Sequence, residues 1–358
     1  MNRLWILCLI LSSCYISEEL PPDQDAWEYD LPSNQQLNQE ALLNLNTRVR
    51  TQEFGFIEGL TIIRNDHLVY ENYYSPETGR NSPQNLGRAG LMITLAALGV
   101  AIDERAIAIE DSIYLFLPEY AGIFQEDPTK LGITVEDVLT HRTGLSWNEN
   151  IERDPGDNDF FIMKQTSDWV GYLLSRTQVG VGFYSYNTAN GILLAKMIEN
   201  ATGIDFGTYV KEKLLDPMKV NVLQIEQDPN GNYNGGDGFN LTLVDFTKVA
   251  YLYLNEGFWQ GRTLVNSNFA QSSFERQHQF SQSSVFNSIG YFWNFFGEGF
   301  QVSLGTDYES IVFFVDQRGQ SIFIAPEEGM IVSVQSDILF GSGFELFTLF
   351  SQITQTIQ

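Results

Sequence analysis

A side-chain site for acyl transfer needs a nucleophile, a group to take its proton and donors for the developing oxyanion. The 358-residue chain offers few such sets at a readable spacing. None of its seven lysines (Lys130, Lys164, Lys196, Lys211, Lys213, Lys219 and Lys248) has a serine three residues earlier, the interval that puts both groups on one helix face. No Gly-x-Ser-x-Gly elbow occurs, and a Ser/His/Asp set has no local signature. His67, His141 and His278 are far apart in the sequence and form no His-Glu-x-x-His pattern, so no metal site is expected. No cofactor is expected either: the glycines between Asp228 and Val265 read as turns, since neither a Walker spacing nor a preceding buried strand accompanies them.

The element best placed to carry chemistry is LGRAGLMITLAALGVAIDERAI, from Leu86 to Ile107. Gly87 and Gly90 loosen its start. Leu91, Met92, Ile93, Leu95, Ala96, Ala97, Leu98 and Val100 then make a helix apolar nearly all round, which implies burial on most faces, before Asp103, Glu104 and Arg105 return it to solvent. The sequence that follows, IAIEDSIYLFLPEY and then ITVEDVLTHRTGLSWNE, resembles the serine β-lactamase and penicillin-binding-protein superfamily, in particular its class C and esterase-like branch. The resemblance runs roughly from Leu37 to the C-terminus and is stronger in the loops than at the active-site positions. It implies an α/β (α+β) fold with an antiparallel sheet flanked by helices, sheet lobe about 35–105 and 285–358, and a mostly helical lobe about 106–284.

The resemblance also implies three active-site elements. Counting back from Ala101-Ile102-Asp103-Glu104 places the family's nucleophilic Ser at Arg88 and its Lys at Leu91. A guanidinium is no nucleophile and does not deprotonate near neutrality, and leucine does not titrate. The second element, a proton-relay Tyr with a polar partner two residues on, falls in YNTANGILLAKMIENATG as Tyr186 and Thr188. The third is a strand triad ending in Gly that helps shape the oxyanion hole. Aligning Gly319-Gln320-Ser321-Ile322 with the Gly-Gln that often follows it puts Asp316, Gln317 and Arg318 there, and Arg318 would crowd the edge that a glycine leaves open. His141-Arg142-Thr143-Gly144-Leu145 matches a family loop with Thr143 for Ser, and His141 reads as a structural hydrogen-bonding residue. Arg88 at a helix N-terminus opposes the helix dipole by about 0.3–1 kcal/mol, so a carboxylate is expected beside it, with Asp316 the candidate. Such a pair would plug the cleft. Arg88 and Arg318 facing an open cavity would instead suit an anion, and a third arrangement sends Arg88 to solvent.

Composition bounds the rest. With 43% hydrophobic and 13% aromatic residues the chain can bury a sizeable core. A net charge of −25 argues against nucleic acid and against attraction to anionic lipid. MNRLWILCLILSSC combines Arg3, an apolar run too short to span a bilayer and a Leu11-Ser12-Ser13-Cys14 end. It reads as a signal peptide over residues 1–13 and resembles a bacterial lipoprotein box, with Cys14 the lipidated residue. Cys8, the other cysteine, lies inside the signal, so no internal disulfide is expected in the mature chain. Residues 14–34, acidic and proline-bearing, read as a tether. Ser33 with Gln36 offers a helix N-cap box, and Leu37, Ala41, Leu42, Leu45 and Val49 a helical face. Thr134 with Asp137 offers another box. GLTIIRNDHLVYENYY reads as two strands around Asn65-Asp66, and Phe344 to Ile357 as a closing helix.

The expectation is therefore a catalytically inactive, β-lactamase-related lipoprotein, lipid-anchored at the bacterial outer membrane or cell surface, that binds or scaffolds a small molecule or envelope partner. The rival is an active serine-type hydrolase or esterase acting on a small ester, amide or peptide through an unrecognised nucleophile. A structural envelope protein without a small ligand is the third reading.

Overall fold

The computed structural model describes residues 27–149, 155–220, 224–279, 286–297, 310–316, 319–337 and 344–358. Among them the strands, in chain order, are β1 (Glu28–Tyr29), β2 (Ile57–Arg64), β3 (His67–Tyr73), β4 (Gln84–Asn85), β5 (Gln224–Ile225), β6 (Phe239–Leu241), β7 (Phe258–Trp259), β8 (Arg262–Thr263), β9 (His278–Gln279), β10 (Phe286–Ile289), β11 (Asn294–Phe296), β12 (Val312–Val315), β13 (Ser321–Ala325) and β14 (Met330–Ser336). The helices are α1 (Gln39–Arg50), α2 (Leu91–Asp103), α3 (Ala121–Glu126), α4 (Val135–Leu139), α5 (Asp159–Met163), α6 (Trp169–Ser175), α7 (Ala189–Thr202), α8 (Phe206–Val210), α9 (Leu243–Leu254), α10 (Ser267–Ser273) and α11 (Phe344–Thr354).

Strands from both ends of the chain meet in one nine-stranded sheet ordered β1-β3-β2-β14-β13-β12-β11-β10-β9. All neighbours are antiparallel except β1 with β3. Asn65 and Asp66, both at positive φ (47° and 69°), make the tight turn between β2 and β3, as an Asn-Asp pair between apolar runs predicts. Both sheet faces are covered, so β13 and β14 are buried along their whole length. Leu60, Ile62, Phe323, Val332 and Val334 face a core closed by α1 and α11. Ile63, Ile322, Ile324 and Ile331, pointing the other way, join the larger core around α2, α7 and α9.

The helix expected over Leu86–Ile107 is a 3-10 turn, Gly87–Gly90, continuing into α2. Every residue of α2 from Leu91 to Ala101 is buried, because α7, α8, α9 and α10 surround it. The Thr134/Asp137 capping box at the start of α4 is present in both directions. Two details differ from expectation. Helix α1 begins at Gln39, capped by Asn38, whose side chain accepts the Ala41 N–H at 3.0 Å; Ser33 lies instead in a short 3-10 turn that Gln36 ends at φ 60°. The tether expected over 14–34 gives way to folded chain by Trp27, which is buried edge-on against Tyr251 and Trp259. Glu28 and Tyr29 then pair with β3. The signal, Cys14, Gln317 and Arg318 lie outside the described residues.

Candidate functional site

Arg88 sits in the turn that starts α2, and its guanidinium is held on three sides. Its Nη2 is 2.8 Å from Glu149 Oε1, its Nε is 4.0 Å from Asp316 Oδ1, and its central carbon is 5.2 Å from the Tyr186 ring centroid. The side chain is 15% exposed, that of Glu149 only 2% and that of Asp316 5%, so both carboxylates meet it largely out of water. The Arg88 backbone N–H also donates to Asp316 Oδ1 at 3.3 Å. Burial opposes the Arg88 charge, but the neighbouring Tyr186, Glu149 and Asp316 outweigh it and hold the guanidinium above its ordinary range.

Glu149 anchors the arrangement. It accepts the Trp147 indole N–H at 2.9 Å, the Thr188 backbone N–H at 2.8 Å and the Thr188 hydroxyl. One buried carboxylate thereby ties the loop after α4 to the heads of α2 and α7. Burial pushes this carboxyl up despite Arg88 and the three donors. Asp237, across the cluster, is also pushed up, chiefly by burial, although Lys164 lies 3.8 Å away. Thr188 is fully buried and its hydroxyl is spent on Glu149, which leaves it out of reach of a substrate.

His141 packs its ring 4.7 Å from that of Tyr186. Its Nδ1 accepts the Asn187 backbone N–H at 3.2 Å and lies 3.1 Å from Asn190 Nδ2. Burial and the nearby Arg88 hold its pKa down to about 3, so the ring is neutral and, with Nδ1 accepting, protonated on Nε2. Tyr184 lies between His141 and His278, at centroid distances of 6.1 and 6.3 Å. The Tyr186 hydroxyl and His141 Nε2 are buried with no hydrogen-bond partner among the described residues. Burial drives the Tyr186 phenol upward, against the pull of Arg88.

The structure thus brings Arg88, Tyr186, Thr188 and Asp316 into one site, while Leu91 is wholly buried in the core. Asp316, the expected partner, is the more distant carboxylate; Glu149 is the closer and was missed. Its signal in the sequence was slight: an acid two residues beyond Trp147, itself two beyond Gly144-Leu145. No group of three or more His, Cys, Asp or Glu among the described residues is arranged to hold a metal ion. Chemically, the cluster can hold charge and donate hydrogen bonds, but it presents no nucleophile at Arg88.

The head of α2 facing the end of β12, with the Tyr186 ring against Arg88, is the arrangement that the resemblance implies. The Beta-lactamase family model matches residues 58–339. The chain belongs to the beta-lactamase family. A 6-aminohexanoate-dimer hydrolase of Paenarthrobacter ureafaciens is 25% identical to this family member over 234 residues, 60% of this chain and 56% of that protein, so the chain spans little more than half the length of that relative. Among solved structures, a Bacillus anthracis protein taken to be a 6-aminohexanoate-dimer hydrolase superposes with a TM-score of 0.70 at 16% identity, covering 94% of this chain and 88% of the other. A class C beta lactamase from Rhodobacter sphaeroides gives 0.64 at 13% identity, covering 90% and 100%. Both share the fold of this beta-lactamase-family chain, a central sheet with helices on each face.

Proposed function

We propose that this chain is a catalytically inactive member of the beta-lactamase family, a lipoprotein held at the bacterial cell envelope through Cys14, that binds or scaffolds rather than hydrolyses. One observation carries the loss of chemistry: the guanidinium of Arg88 stands where the resemblance puts the nucleophile, paired at 2.8 Å with buried Glu149. Leu91, fully buried where the resemblance puts the lysine, has no proton to exchange. The anchoring rests on Leu11-Ser12-Ser13-Cys14 after an apolar run.

Intact-mass spectrometry after incubation with a penicillin and with a fluorophosphonate tests the first part. No covalent adduct is expected. A stoichiometric adduct on any Ser or Thr would overturn the reading and restore the hydrolase alternative, to which the similarity with the 6-aminohexanoate-dimer hydrolase belongs. Converting Arg88→Ser with Leu91→Lys is expected to leave the protein unreactive, because Asp316 still occupies the head of α2 and Glu149 loses its cation. For the anchor, Cys14→Ala should abolish metabolic labelling with a fatty-acid analogue; labelling that persists in this variant would sink the assignment.

A further inference from the structure

The loop that follows α6 turns large apolar side chains outward. Val179, Val181 and Phe183 are 63%, 44% and 68% exposed, three alternate residues of the run TQVGVGFY. Single exposed apolar residues are ordinary, but three so close together on one loop ask for a partner. The backbone builds this exposure in. The Val179 N–H donates to the Gly144 carbonyl at 2.7 Å, the Gly182 N–H to that of Arg142 at 2.9 Å and the Ser185 N–H to that of His141 at 2.8 Å, while the Ser146 N–H donates to the Thr177 carbonyl at 2.8 Å. The loop is thus strapped along residues 141–146. Gly144 has to lack a Cβ for this, since one would stand 2.0 Å from the Gly180 carbonyl oxygen, and Gly182 makes the bend at φ +96°. A loop held at so many points keeps its apolar side chains out of the core.

The charge of this face departs from that of the chain. There are 45 Asp and Glu against 20 Lys and Arg, yet no Asp or Glu occurs in residues 138–148 or 176–198, the two stretches that carry the strap. Each contributes an arginine instead. Arg142 gives its Nε to the Gly182 carbonyl at 3.0 Å and makes no ion pair among the described residues, while Arg176, where the loop starts, pairs with Asp159 at 3.1 Å. At physiological salt the Debye length is about 8 Å, so whatever meets the tip feels this face and not the net charge of the whole chain. We propose that the 177–183 loop is a membrane-docking tip, its three apolar side chains entering the boundary between headgroups and acyl chains of a bilayer, with Arg142 beside the lipid phosphates. Two other occupants fit less well. A second copy would set the same arginine-bearing face against itself. A peptide needs walls to lie between, and side chains exposed this far stand clear of their neighbours and offer none, whereas acyl chains close around a protruding apolar group of any shape. The polar backbone of the tip confines the contact to the interface, because groups without partners do not enter the hydrocarbon.

The test uses the full chain carrying Val181→Cys together with Cys8→Ala and Cys14→Ala, labelled at position 181 with nitrobenzoxadiazole and mixed with phosphatidylcholine vesicles. The emission should shift to the blue and brighten, and lipids carrying a nitroxide high on the acyl chain should quench it. The same labelled chain with Val179→Asp and Phe183→Asp should emit as it does in buffer. Phe183→Ser alone, with a partial loss of the shift expected, serves if the double variant does not fold, and thermal melts show which variants do. An unshifted label overturns the proposal whether or not the protein sediments with the vesicles. So does a shift that survives the two aspartates, or one that appears without lipid as the protein is concentrated, which would assign the face to a second copy. The probe chain lacks the Cys14 thiol, so its result stands whether or not that residue carries a lipid, and the two assignments fail independently.

Discussion

Arg88 and Glu149 form a buried pair whose members depend on each other more than the fold depends on either. Desolvating two charges consumes much of what their attraction returns, whereas deleting one partner strands the other and costs about 3–5 kcal/mol. Arg88→Met should therefore destabilise by about that amount at pH 7, and Arg88→Met with Glu149→Leu should recover most of the loss. The pH dependence follows from Glu149. Its folded pKa is already raised by burial, and removing Arg88, the largest influence lowering it, raises it further. A carboxyl raised in the fold contributes stability that is fully present below its unfolded pKa and is lost as pH rises through the folded one. The deficit of Arg88→Met should thus shrink as pH falls from 7 toward 5, when Glu149 takes up a proton. His141 acts in the opposite sense: held down to about 3, it remains neutral in the fold while the unfolded chain protonates near 6.5, so stability falls as pH drops through that range. Because Arg88 also helps hold His141 down, both variants that lack Arg88 relieve this limb alike, so it cancels between the single and the double variant and their difference reports Glu149. Urea unfolding of the three proteins at pH 5, 6 and 7 measures this; an Arg88→Met deficit that is constant or grows toward acid refutes the role given to Glu149.

The elements that place these residues were readable wherever a local rule decided them. The apolar run after Gly90, the Asn65-Asp66 turn and the Thr134/Asp137 box each fix a conformation within a few residues. The partner of Arg88 was not readable in this way, because the Arg88–Glu149 pair joins positions 61 residues apart whose meeting is set by how α2, α7 and the loop after α4 pack. Ser33 misled for a related reason: its box with Gln36 was plausible alone, but Asn38 supplies the cap where α1 starts. Close backbone packing is hidden from the sequence too, and glycine marks it. A Cβ on Gly191 in α7 would stand 2.5 Å from the Gly235 carbonyl oxygen, and the same oxygen accepts the Thr94 hydroxyl from α2 at 2.7 Å. A Cβ on Gly122 in α3 would meet nothing within 4 Å. The same substitution should therefore carry opposite signs: Gly191→Ala should destabilise by about 1–3 kcal/mol through overpacking, and Gly122→Ala should stabilise by about 0.4–1 kcal/mol through the unfolded chain. Thermal melts of the two variants distinguish them, and a Gly191→Ala melt at or above that of the unaltered protein would show that the loop carrying Gly235 yields.

At the scale of the molecule, the sheet's second face is closed by the two ends of the described chain together. The Asn38 N–H donates to the Thr356 carbonyl at 2.8 Å, the Gln358 N–H to the Gln36 carbonyl at 2.9 Å, and Leu37 bridges to Ile357. Helix α11 contributes Leu346, Phe347, Leu349, Phe350 and Ile353 to the core beneath α1. Phe347 meets Phe296, Phe313 and Phe323 edge-on at 5.2–5.8 Å, and Phe350 stacks on Phe323 at 4.7 Å. At about 1.5–3 kcal/mol for each buried apolar side chain, the five together are comparable with the whole net stability of an ordinary domain, about 5–15 kcal/mol. The contacts that join the segment around α11 to residues 36–38 are distant in sequence, and contacts of that kind form late, because the loop they close must be ordered first. The sheet would therefore keep an exposed apolar face until α11 arrives, and a chain ending at position 343 should not complete its fold. Such a truncated protein should bind a hydrophobic dye and melt without a single cooperative transition, although the α2 site lies on the opposite face of the sheet. A truncated chain that melts cooperatively within a few degrees of the full one would show instead that α1 and the sheet close this core without α11.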